Sequence, residues 1–370
     1  MLQKPNTFLS VDLNALVHNY LFFKSKTKDS TKLVAVIKAF AYGHEAIEIA
    51  KYLESLEVDY FGVAYIQEGI KLRKAGIKTP IIVFHSQLSD IEECFKYQLE
   101  PSIYSFRVLN YFLELTNIHK LTNFPIHIMF NTGMNRLGFS QKDISQIVSL
   151  ISKNNNLKIA SILSHLVASE DSNQKHFTQN QINLFSSIID EFESQLPYSF
   201  DKHIANSTGV LNYSEAHFNM VRVGIGLYGY ANDKKWTKRL RNVSKLHSII
   251  SQIHLIKKGE SVGYNRVFKA EKKTISATIS IGYADGIPRS WGNGVGYVTI
   301  KGEKAYILGN VTMDMLMVDV TNIACKEGDE VLFFETQEIV EDLALRTNTI
   351  SYEVLTAISQ RIPRIIVPKI

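Results

Sequence analysis

The sequence predicts an α/β protein: a closed (β/α)8 (TIM) barrel followed by a mainly β C-terminal domain. Short apolar, β-branched runs recur eight times between residues 33 and 225, with helical spacing between them. Strands alternating with helices pair in parallel, because each crossover returns the chain to the same end of the sheet, and eight such units suit a closed barrel. From about Lys235 the pattern changes to short strands of alternating polarity, the mark of sheets with one wet face.

In chain order, Asp12 is placed to cap a helix whose apolar residues Leu13, Leu16, Val17, Tyr20 and Leu21 fall at helical spacing. The eight barrel runs are 33–37, 60–64, 81–84, 101–104, 126–130, 159–165, 203–205 and 220–225. In the second part, 274–281 alternates strictly, and 295–301, 304–308, 315–320 and 330–334 are further short strands punctuated by Gly, Asn and Asp. A closing helix is expected near 352–359. The domains are therefore read as 1–235 and 236–370.

At 370 residues the chain is long enough for two cores. A hydrophobic content of 45% and a net charge of +5 describe an ordinary globular protein without a basic stripe for nucleic acid. The pairs Lys234-Lys235 and Lys272-Lys273 read as solvated turns. Cys94 and Cys325 are the two cysteines, too few for a disulfide framework or a Cys-based metal site. Met1-Leu2-Gln3-Lys4-Pro5 lacks the apolar core of a signal peptide, so a reducing cytoplasm is the expected location.

The chemistry centres on Lys38. It ends the first barrel run and is followed by Ala39-Phe40-Ala41-Tyr42-Gly43-His44, which turns the chain into a new helix near Glu45. An amine with apolar neighbours has a costly charge, so its pKa falls and it becomes nucleophilic, as a Schiff-base lysine requires. Working residues of such barrels sit at the C-terminal strand ends. Asn206-Ser207 after the seventh run and Gly224-Ile225-Gly226 after the eighth are placed to cradle a phosphate.

These residues belong to seven segments that together resemble the alanine racemases over nearly the full length. The others are Asn131-Thr132-Gly133-Met134-Asn135-Arg136-Leu137-Gly138, His203-Ile204-Ala205-Asn206-Ser207, Arg222-Val223-Gly224-Ile225-Gly226-Leu227-Tyr228-Gly229, Gly282-Tyr283-Ala284-Asp285-Gly286, Val311-Thr312-Met313-Asp314 and Tyr352-Glu353-Val354-Leu355. The resemblance implies pyridoxal 5'-phosphate as cofactor, held by Lys38 as a Schiff base. Lys38 is then one catalytic base and Tyr283, delivered by the partner of a homodimer, the other. Racemisation needs a base on each face of a planar carbanion. A tyrosine titrates near 10, and by resemblance His165, linked to Arg222, lowers it. Arg222 would face the pyridine nitrogen and leave it neutral, a weaker electron sink that limits side reactions. Tyr42, Ser207, Gly224, Ile225 and Tyr352 would hold the phosphate. Arg136 would touch the phenolic oxygen, Met313 and Asp314 would receive the substrate, and Tyr264 would line the entrance.

The chain departs from that pattern at named positions. Met129 replaces a lysine that becomes carbamylated and steadies the arginine, so Arg136 needs another partner. Asn131 replaces an aspartate, and Asn310 an arginine near the entrance. Phe40 and Glu45 replace an asparagine and a glycine around the lysine turn. None removes a base or the phosphate cradle. The expected activity is interconversion of L- and D-alanine, supplying D-alanine for peptidoglycan. A racemase of the same fold for serine or another amino acid, a related decarboxylase, a non-catalytic pyridoxal-phosphate carrier and a scaffold domain are the alternatives.

Overall fold

The structure is a computed structural model that describes residues 5–153, 155–231 and 233–367. The reading of the N-terminus as lacking a signal, which rests on Met1–Lys4, lies outside the described residues.

The first strand is β1 (Phe8–Asp12), and the Asp12 side chain caps the helix Leu13–Lys24 by accepting from the N–H groups of Asn14 and Ala15. The expected inner face of that helix needs one correction, since Leu21 is solvent-exposed. Asn19 takes a core position instead. Its amide donates to the carbonyls of Leu227 and Arg241, and its oxygen accepts from Arg241 N–H, so a polar side chain ties the helix to the turn after the barrel.

Eight strands then form one parallel sheet: β2 (Lys32–Val36), β3 (Tyr60–Val63), β4 (Ile81–Val83), β5 (Glu100–Ile103), β6 (Phe124–Met129), β7 (Leu157–Leu163), β8 (Asp201–His203) and β9 (Met220–Val223). Their order is β8-β7-β6-β5-β4-β3-β2-β9. Closure falls between β8 and β9, where Arg222 N–H donates to the carbonyl of Ala205 at 3.1 Å. Seven of the eight expected runs overlap these strands with their ends displaced by one or two residues, and the run 203–205 shares only His203 with β8.

The second sheet is built from β10 (Ser244–Ile256), β13 (Thr274–Ile279), β14 (Tyr297–Ile300), β15 (Glu303–Leu308), β16 (Leu316–Asp319), β17 (Glu330–Leu332) and β18 (Arg364–Val367), with β1 added. The short strands β11 (Ser261–Val262) and β12 (Phe268–Lys269) pair apart from it. The long β10 pairs with β1 and β17 along its first half and with β13 along its second. This closes β13-β16-β15-β14-β17-β10 into a small antiparallel barrel. A register shift between Ile250 and Gln252 lets one strand serve both partners. The first and last described strands, β1 and β18, lie side by side in parallel at its edge.

Candidate active site

Lys38 stands where β2 ends at the mouth of the barrel. Its turn is strained. Ala39, Phe40, Ala41 and Tyr42 all hold φ between 52° and 56°, a left-handed run that costs roughly 1–2 kcal/mol for each non-glycine residue. Such a turn persists only if its surroundings fix it. Glu68 does much of this. One carboxylate oxygen accepts from Ala39 N–H at 2.6 Å, and the other from Ala64 N–H at 2.7 Å and Tyr65 N–H at 3.2 Å. Arg364 donates to the carbonyl of Gly43 and lies over the Phe40 ring. His44 closes the turn from within, between the carbonyl of Ala41 and the hydroxyl of Ser244.

Lys38 opens into a cleft whose walls carry Tyr42, Arg136, His165, Ser207, Arg222, Gly224, Ile225 and Tyr352. Three of the lining residues, Lys38, Arg136 and Arg222, are cations, and no carboxylate lines the cleft among the described residues. Burial and the nearby Arg136 and Arg222 outweigh Glu68 and hold the Lys38 amine below its ordinary value. Burial, then Arg136, lowers Arg222 to about 9.

One wall of the cleft is shaped for a phosphate. The Ser207 hydroxyl accepts from the N–H groups of Gly224 and Gly226 at 3.0 and 3.2 Å, which draws β8 and β9 together. Tyr42 packs against Gly224 so closely that a Cβ there would fall 2.4 Å from its hydroxyl oxygen. Hydroxyls, a glycine without a side chain and three uncompensated cations fit an anionic, phosphate-bearing aromatic group such as pyridoxal phosphate.

Arg222 is buried in β9 and uses its two terminal nitrogens on the protein. Nη1 donates to His203 Nδ1 and the His203 carbonyl; Nη2 donates to the carbonyls of Ser164 and Ile204 and to His165 Nδ1 at 3.0 Å. The Nε–H is the one guanidinium donor without a protein acceptor among the described residues. Because arginine can only donate, His165 must accept at Nδ1. Burial and three neighbouring cations hold His165 well below its ordinary pKa, so it is neutral and carries its hydrogen on Nε2.

Arg136 is exposed on the loop between β6 and β7, and Met129 lines the same cleft. Asn131 organises this loop, its side-chain oxygen accepting from Gly133 N–H and Asn135 N–H and its amide donating to Asn135. The backbone bonds an aspartate would make are thus kept and only the charge is lost.

Tyr283, Tyr264, Met313 and Asp314 do not line this cleft. Tyr283, Met313 and Asp314 lie on adjoining loops of the second sheet, and Tyr264 lies between β11 and β12. Tyr283 N–H donates to the carbonyl of Thr312, Ala284 N–H to that of Met313, and Arg361 bridges Asp285 and Asp314. At Gly282 a Cβ would lie 2.3 Å from the carbonyl oxygen of Thr312, so only glycine permits the close approach of the two loops. Tyr264, Val267, Tyr283, Met313 and Met315 are all exposed here, with Tyr264 at 72%.

Sequence reasoning assigned no role to Glu68, His127, Ser161 or His203. Glu68 is marked in the sequence only as an acid near the start of the helix Ile66–Lys74. The other three show no pattern, because their contacts join strands far apart in the chain.

The comparisons with known proteins agree with this geometry. Residues 11–232 match the model for the alanine racemase N-terminal domain and residues 243–366 that for the C-terminal domain. An alanine racemase of Thermodesulfovibrio yellowstonii is 37% identical over 362 residues, which is 96% of either chain. The alanine racemase of Clostridium difficile 630 superposes with a TM-score of 0.92 at 31% identity, covering 99% of this chain and 96% of that one. An alanine racemase from Bartonella henselae with covalently bound pyridoxal phosphate gives a TM-score of 0.88 at 30% identity, covering 98% of this chain and 100% of that one. The chain therefore belongs to the alanine racemase family, the pyridoxal-phosphate-dependent enzymes that interconvert L- and D-alanine.

Proposed function

We propose that this chain racemises alanine with two bases, Lys38 of one subunit and Tyr283 of the partner subunit, in a homodimer with shared sites. The carrying observation is the division of the chemistry. Lys38, Arg222 and His165 line one cleft, while Tyr283 is exposed and does not line it. A base that faces no cleft of its own chain calls for a second copy to supply one.

Pyridoxal phosphate, when bound, supplies an electron sink that acidifies the α-C–H bond of the substrate. Lys38 holds the group covalently, Tyr42, Ser207, Gly224, Ile225 and Tyr352 hold its phosphate, and Arg136 its phenolic oxygen. Arg222 offers its remaining Nε–H to the ring nitrogen. A donor there leaves that nitrogen unprotonated. Lys38, whose amine is held below its ordinary value by burial and Arg136, takes or returns a proton on one face. His165 Nε2–H donates to the Tyr283 hydroxyl oxygen of the partner subunit and stabilises its deprotonated form, so that Tyr283 serves the opposite face. Met313 N–H and Asp314 contact the substrate, and Tyr264 lines its entrance.

The domain division belongs to the same reading. Residues 1–235 are the cofactor-binding barrel and 236–370 the part that supplies the second base, with β1 lent to the second sheet. A cytoplasmic enzyme supplying D-alanine for peptidoglycan completes it.

L-alanine incubated in deuterated water with the protein and pyridoxal phosphate tests the reading. Solvent deuterium entering the α position together with D-alanine formation is expected. Exchange without inversion means one base only. Neither signal with alanine but both with serine moves the substrate assignment to serine.

A further inference from the structure

The inside of a (β/α)8 barrel is ordinarily filled by branched apolar side chains. Here four neighbouring strands place polar groups there. His127 and His203 are buried, as are Ser161 and Arg222. Glu100, the first residue of β5, begins the series at the end of the barrel opposite Lys38, and its side chain is almost covered.

The contacts are continuous. Glu100 Oε2 lies 2.9 Å from His127 Nε2, and His127 Nδ1 lies 2.6 Å from Ser161 Oγ. Ser161 Oγ lies 2.8 Å from His203 Nε2, and His203 Nδ1 lies 2.9 Å from Arg222 Nη1. Both ends fix the direction. Arg222 can only donate, so His203 must accept at Nδ1 and carries its hydrogen on Nε2. His203 then donates to Ser161, Ser161 to His127 Nδ1, and His127 Nε2–H to the Glu100 carboxylate. Every link is satisfied with both imidazoles neutral. The reverse direction would put a His203 Nδ1–H against an Arg222 N–H, two buried donors facing each other.

We propose that Glu100 is a positioning residue for the reaction: its carboxylate holds His127 as the Nε2–H tautomer, so that Ser161 donates to His127, accepts from His203 and completes the chain that holds Arg222. The carboxylate and Arg222 close the chain at opposite ends and require the same direction. Arg222 consequently keeps Nη1 and Nη2 engaged on the protein, which leaves its Nε–H as the donor available to a bound group. Burial and the Arg222 charge hold His203 well below its ordinary pKa, in keeping with a neutral ring.

The consequence for catalysis rests on the assignment of Arg222 to the cofactor ring nitrogen; the tautomers do not. Nitrogen-15 NMR of histidine-labelled holoenzyme reads the tautomers directly. Both His127 and His203 are expected to carry hydrogen on Nε2 alone. In Glu100→Gln the carboxamide can donate as well as accept, so His127 can take either tautomer. His127 should then show mixed tautomers while His203, which still faces Arg222, keeps its hydrogen on Nε2, and kcat should fall about tenfold with KM for alanine within twofold. Glu100→Asp should restore most of the loss. Ser161→Ala cuts the chain without removing a charge, and serves should Glu100→Gln not fold; it should release His203 while His127 keeps Nε2–H.

Hydrogen on His203 Nδ1, or a doubly protonated His127, in the unmodified holoenzyme overturns the proposal. So does a Glu100→Gln enzyme with unchanged tautomers, or one with altered tautomers and full kcat. An unmodified holoenzyme with the expected tautomers that exchanges no α-proton of alanine refutes the functional reading instead.

Discussion

Three cations around one cleft repel each other, and the effect can be read at Lys38. After burial, Arg136 is the largest influence holding the Lys38 amine below its ordinary value. Covalent attachment of an aldehyde needs the neutral amine, so the rate at which apoprotein takes up pyridoxal phosphate should rise as pH climbs through this depressed value. Arg136→Ala removes a positive charge and should move that midpoint to higher pH, and the difference should shrink in molar salt because Arg136 is exposed. A midpoint that stays in place, or moves down, would mean that burial alone sets it. Glu45 offers a second test. It holds φ at 95°, a value suited to glycine, while its carboxylate caps the helix Ala46–Glu54 by accepting from Ile47 and Glu48 N–H. Glu45→Gly relieves about 1–3 kcal/mol of backbone strain and loses a few tenths at the cap, so a net gain of about 1 kcal/mol is expected in denaturant unfolding. Glu45→Ala keeps the strain and loses the cap, and should be less stable than the unmodified protein. The motif around Lys38 was legible in the sequence, as were the substitutions at Phe40 and Glu45. Their cost was not, because it lies in a backbone conformation that no residue spacing encodes.

At the scale of elements, the turn leaving β9 joins structure to chemistry. Gly224 lies under Tyr42, and a methyl group there would push the ring from its place. Gly224→Ala should therefore weaken pyridoxal-phosphate binding by about tenfold or more while leaving the thermal unfolding of the apoprotein within a few degrees. Equal affinity, measured by titration of the visible absorbance, would show that Tyr42 does not need this position. Most of the eight parallel strands were legible as short apolar runs buried on both faces, whereas β8, Asp201-Lys202-His203, is polar and only half-buried. The long β10 was not. Its inward residues Leu246, Ser248 and Ile250 alternate, but the register shift after Ile250 changes the face, and the second half is largely exposed. The strand β1 had no counterpart among the expected strands, because five residues ending in an Asp cap carry too little pattern to reveal a position in a distant sheet.

For the whole molecule, the proposed sharing of Lys38 and Tyr283 between two subunits would make assembly a condition for activity. Lys38→Ala and Tyr283→Ala should each be nearly inactive alone, with Tyr283→Ala retaining the absorbance of the lysine-bound cofactor and Lys38→Ala losing it. Mixed and allowed to exchange subunits, the two should recover up to about a quarter of full activity, because half the dimers are mixed and each then has one intact site. No recovery after verified exchange would place both bases within one chain. The sequence indicated both halves of this site but no distance between them, since distance in space depends on which sheet carries each loop.

The placement of β1 beside β18 also has a temporal side. On the ribosome, β1 emerges early, and its antiparallel partner begins only at Ser244. At translation rates of about 5–20 residues per second, the strand waits on the order of 10–50 seconds for that partner, and longer for β18. Meanwhile the barrel can close and leave a strand edge open to neighbouring nascent chains. The last strand to be made completes the sheet in which the first was waiting.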